Sequence, residues 1–112
     1  MASPNTESEI NRLQLLEQNR QQLLAQKQQF QAELLEVESA LGEIKDKEDG
    51  IYKIIGNLMV SAKKQDIEKE LSSKKEILEL RIKAIEKQEN SIKERVKELQ
   101  EKVLKGIGSE NK

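Results

Sequence analysis

The sequence predicts a mainly α fold, a long antiparallel two-helix coiled coil with a short β-hairpin at its bend. Three observations carry this. Two stretches of about 40 residues each hold a narrow apolar ladder at alternating three- and four-residue steps. The segment between them breaks that ladder and reads as two short strands around Gly56-Asn57. Charged residues make up 37% of the chain against 35% hydrophobic, with only Phe30 and Tyr52 as aromatics, so a compact monomeric core is not available.

The first ladder is Leu13, Leu16, Arg20, Leu23, Lys27, Phe30, Leu34, Val37, Leu41 and Ile44, eight apolar residues in ten. Gln, Glu and Lys dominate the positions between, which leaves a seam rather than a broad face. A capping box at Thr6-Glu7-Ser8-Glu9 opens the helix, predicted over about 7–45. The second ladder is Leu71, Lys75, Leu78, Ile82, Ile85, Glu89, Ile92, Val96, Leu99 and Val103, again eight in ten. Opposite charges at helical spacing, such as Glu79 with Lys83 and Glu98 with Lys102, mark its solvated face. Lys102 and Lys105 suit a helix C-terminus, and Gly106 and Gly108 end it, giving a helix over about 63–105 and a tail over 106–112 of one domain spanning 1–112.

At 1.5 Å per residue each helix is about 60 Å long, and neither is stable alone. Folding back buries both seams and sets Leu41 and Ile44 against Leu71, Phe30 against the Ile82 region, and Leu13 and Leu16 against Val96 and Leu99. The polar seam residues Arg20, Lys27, Lys75 and Glu89 weaken the pair but help to fix its register.

The hairpin, about 51–61, pairs Ile55 with Leu58. One face then carries Ile51, Ile55, Leu58 and Val60, the other Tyr52, Ile54 and Met59. Such a hairpin, apolar on both faces and open at both edges, is an aggregation hazard unless other chains cover it. Closure of several hairpins into a β-barrel base removes every edge, so an obligate oligomer is expected. Gly56 belongs to this set as the turn residue, and no lysine-serine pair follows it as a phosphate loop requires.

The string Ile51-Tyr52-Lys53-Ile54-Ile55-Gly56-Asn57-Leu58-Met59-Val60, set between helices of this length, resembles the archaeal-type β class of prefoldin subunits. The Tyr-Lys-x-x-Gly-x-Leu core is the discriminating part, and the likeness in architecture covers nearly the whole chain. The resemblance implies a hexamer of two α-class and four β-class subunits, including copies of this chain. It also implies ATP-independent capture of unfolded client proteins by the coiled-coil tips and delivery to a group II chaperonin. Ile10, Leu15, Leu104 and Ile107 lie off the seams and, with Leu13, Leu16, Leu99 and Val103, form a candidate client-binding tip. The competing expectation is a structural spacer or adaptor without client binding.

Other functions are disfavoured by residue type. No cysteine or histidine occurs, which removes disulfides, imidazole catalysis and the usual zinc sites, so no catalytic residue, metal or cofactor is expected and the chain is not an enzyme. Glu7/Glu9, Asp46/Glu48/Asp49 and Glu68/Glu70 lack calcium-loop spacing and read as solvated faces. Lysines plus arginines number 20 and acids 21, interleaved, with no evident basic face for nucleic acid. No apolar run approaches the roughly 20 residues that cross a membrane, and Met1-Ala2-Ser3-Pro4 leads into polar residues, so the expected location is cytoplasmic.

Overall fold

The structure, a computed structural model, describes residues 4–110, with side chains to residue 107. Its elements run α1 (Pro4–Ile44), β1 (Tyr52–Ile55), β2 (Leu58–Ser61) and α2 (Lys64–Glu110). The chain divides into two compact units, each drawing on both helices. A terminal unit comprises Met1–Lys27 with Ala84–Lys112, and a hairpin unit comprises Gln28–Lys83.

Within each unit the helices pair antiparallel along the two ladders. In the terminal unit Lys27 reaches Glu89 at 3.1 Å, and the close approach of Thr6 to Gly106 fixes the other end. In the hairpin unit Arg81 lies over the Phe30 ring, 5.6 Å from its centroid, and Lys75 reaches Glu38 at 3.9 Å. These contacts follow the predicted register. Of the twenty ladder positions all but Arg20 are buried or half-buried, Leu78 most deeply at 2% exposure. Most are only half-buried because two helices have no third layer to close the seam. Arg20 turns out to solvent and holds Glu17 of its own helix at 2.7 Å.

The helix ends differ from their prediction. Pro4 begins α1, where its fixed φ and missing N–H cost nothing. Thr6 is therefore inside the first turn rather than a cap, and it is 2% exposed. At the other end α2 continues through Gly106 and Gly108 to Glu110, so the expected break after Lys105 does not occur. Lys102 and Lys105 consequently lie before the last turn, which carries no basic residue. Gly106 has a packing role, since a Cβ there would sit 2.6 Å from Thr6 Oγ1. Contact with α1 thus outweighs the roughly 1 kcal/mol by which glycine disfavours a helix interior. Of the predicted tail, Asn111 and Lys112 lie outside the described residues, as do Met1, Ala2 and Ser3.

The bend is tied down locally. Lys47 N–H donates to Ile44 O at 3.1 Å, and Lys64 Nζ donates to Lys45 O at 2.6 Å, so two carbonyls left over at the end of α1 find donors. Gly50 at φ +72° turns the chain into the hairpin. The strands pair as Tyr52 with Ser61, Lys53 with Val60, Ile54 with Met59 and Ile55 with Leu58. Gly56 has φ +61°, and no non-glycine among the described residues has positive φ, so Asn57 does not share it. That combination fits a type II′ turn.

Candidate functional sites: the hairpin and the end of the terminal unit

The register places Lys53, Ile55, Leu58 and Val60 on one face of the hairpin and Tyr52, Ile54, Met59 and Ser61 on the other. All eight are exposed, with Ile54 at 71% and Met59 at 69%. Among the described residues no third strand joins the sheet, so both edges are open. Ile51 departs from its predicted place. Its carbonyl accepts from Ala62 N–H at 3.0 Å and its side chain is buried, so it anchors the hairpin within its own chain instead of standing on the free face. Lys53, unremarked in the sequence beyond its place in the motif, bonds Glu70 of α2 at 2.8 Å. That exposed pair ties one strand to the second helix.

At the end of the terminal unit the eight predicted tip residues fall into two groups. Leu15, Leu104 and Ile107 are exposed, the seam residues Leu13, Leu16, Leu99 and Val103 are half-buried, and Ile10, expected off the seam, is half-buried with them. The exposed three are thus fully available in the closed pair, and the half-buried five only in part until the helices separate. Exposed apolar residues that the ladders passed over also occur, namely Leu24, Leu35, Ile77 and Leu80.

Polar seam positions resolve into specific pairs. Lys27 and Glu89 bond each other with side chains 24% and 22% exposed, so the two charges occupy one level of the seam. The Arg20 guanidinium is held above its ordinary pKa by its hydrogen bond to Glu17, with the Glu17 charge adding to the effect. Phe30 is a seam residue whose ring carries the Arg81 cation, and Tyr52 is an exposed strand residue. Among the described residues no group of three or more acidic side chains is placed to hold a metal ion, and no helix is long and apolar enough to cross a membrane.

Paired helices ending in an apolar hairpin that its own chain leaves uncovered define a subunit, a chain completed by other chains. Comparison with known proteins points the same way. The family model described as "Prefoldin subunit" matches residues 7–110. The "Prefoldin subunit beta" of Archaeoglobus fulgidus is 40% identical over 102 residues, covering 89% of this chain and 88% of that protein. That of Sulfurisphaera tokodaii is 39% identical over 102 residues, covering 89% and 82%. The crystal structure of the prefoldin beta subunit from Thermococcus strain KS-1 superposes with a TM-score of 0.86 at 35% identity, covering 92% of each chain. The chain belongs to the prefoldin subunit family, a family of chaperone subunits.

Proposed function

We propose that this chain works as one domain over residues 1–112, the β-class subunit of a cytoplasmic hexamer with two α-class and four β-class subunits. In that assembly the hairpins close edge to edge into a β-barrel base, and the paired helices hold unfolded proteins at their ends. Capture needs neither ATP nor a cofactor, there is no catalytic step, and the client passes to a group II chaperonin. The observation that carries this is the hairpin, whose exposed apolar faces and open edges are tolerable in water only when other subunits cover them.

On this account Tyr52, Ile54, Ile55, Leu58, Met59 and Val60 supply the contact between subunits, Gly56 shapes the turn, and buried Ile51 anchors the strand. Client capture draws first on Leu15, Leu104 and Ile107 and then, as the end opens, on Ile10, Leu13, Leu16, Leu99 and Val103. Each contact is weak, and several ends acting on one client add by effective concentration. The test is the solution mass of this chain mixed with an α-class subunit, for the wild type and for Ile54→Lys/Met59→Lys. A hexamer from the wild type and dissociated but helical subunits from the variant are expected. A variant that assembles as the wild type does would refute the role of the hairpin.

A further inference from the structure

The terminal unit has two unlike sides. Along one side of its seam run two grooves of about 520 and 440 Å³ that share Leu16 and Arg95 and so form one continuous trough. Its cations are Arg12, Lys87, Arg95 and Lys102, and Glu98 is the one carboxylate among its lining residues. Its apolar lining is Leu15, Leu16, Leu23, Ile92 and Leu99, and the remainder is neutral amide and hydroxyl side chains. The groove on the opposite side of the seam is balanced, with Arg20 and Lys93 against Glu17 and Glu89, and its Arg20 is already bonded to Glu17. A chain of net charge −1 thus gathers an excess of positive charge along one trough that also presents leucines and an isoleucine.

We infer that this trough gives client capture a chemical preference: it takes extended segments in which apolar side chains alternate or adjoin with Asp or Glu. The inference rests on the client-binding role proposed above and narrows it. Apolar side chains of the segment would lie against these leucines and Ile92, where area burial supplies most of the affinity. Its carboxylates would meet the rim cations, which steer the encounter and reject lysine-rich segments by like-charge repulsion. From Lys87 to Lys102 the trough follows α2 for about 22 Å at 1.5 Å per residue, which an extended segment of about seven residues spans at 3.3 Å per residue. A nucleic acid fits less well, because the lining offers leucines and isoleucine in place of the aromatic rings on which bases stack.

The test uses the assembled oligomer and three fluorescein-labelled peptides with the same leucines, interleaved with Asp, Asn or Lys, followed by anisotropy at low and high salt. The Asp peptide is expected to bind about tenfold tighter than the Lys peptide, with the gap closing at high salt. Arg12→Glu/Arg95→Glu/Lys102→Glu should invert the order. Should that variant not assemble, Arg95→Gln, which removes the cation common to both grooves, is expected to shrink the preference about threefold. Equal binding of all three peptides by the wild type would overturn the preference while leaving client capture standing. Failure to bind any of them would sink both. Displacement of the Asp peptide by a labelled single-stranded DNA of higher affinity would overturn the assignment in favour of nucleic acid.

Discussion

Lys27→Met tests what a polar level in an otherwise apolar seam contributes. It leaves the Glu89 carboxylate in a side chain only 22% exposed, without the cation that now lies 3.1 Å away. An exposed pair is worth about 0–1 kcal/mol, while stripping one partner from a fully buried pair costs about 3–5 kcal/mol. This pair lies between, and its residual exposure lets Glu89 reach water, so a loss of about 1–2 kcal/mol is expected, and the same for Glu89→Leu. For a chain of 112 residues that corresponds to a fall in Tm of about 4–9 °C. The double variant Lys27→Met/Glu89→Leu removes both charges and fills the seam, and should equal or exceed the wild type in stability. The assay is urea unfolding followed by far-UV circular dichroism, at fixed subunit concentration because assembly and folding are linked. Single variants that are each neutral and combine additively to within about 0.5 kcal/mol would refute the coupling.

Three further outcomes follow from the packing. Leu78→Ala, at the most buried apolar side chain among the described residues, should cost about 2–4 kcal/mol by urea unfolding, with the lower end reached if the two-helix seam collapses into the gap. Gly56→Val places a β-branched residue at φ +61°, and should fray the hairpin by about 1–2 kcal/mol, read as faster amide exchange at residues 52–61 with the helices unchanged. Thr6→Cys/Gly106→Cys should oxidise readily to an intramolecular disulfide, since the Thr6 Cβ lies 3.7 Å from a Cβ built on Gly106, inside the usual span. The absence of native cysteine makes the thiol count unambiguous in that experiment.

The seam was legible in the sequence because a two-helix pair demands one residue type at one spacing, and little else competes for those positions. Val37, Leu78, Ile82 and Ile85 were all on the ladders and are all buried. The hairpin was legible for a similar reason, since Gly56-Asn57 between β-branched runs specifies both turn and register. What local chemistry misplaced were the ends. Thr6 has the composition of a cap and Gly106 that of a stop, yet each is placed by the other across the pair, an interaction that no window of adjacent residues contains. Alternation groups Ile51 with its strand, but burial against its own chain decides its role. The basic trough is hidden in the sequence because its cations are interleaved with acids along the chain. Arg95 and Lys102 stand one heptad apart, and that spacing was the available signal.

The most direct test of the central claim is light scattering by a denatured protein diluted into ATP-free buffer with this chain and an α-class subunit. The forms compared are the wild type, the hairpin variant Ile54→Lys/Met59→Lys and the end variant Leu15→Ser/Leu104→Ser. Suppression of aggregation by the wild type alone is predicted, since the first variant removes the assembly and the second removes exposed apolar residues at the end of the terminal unit. Equal suppression by all three, or none by the wild type, would contradict it.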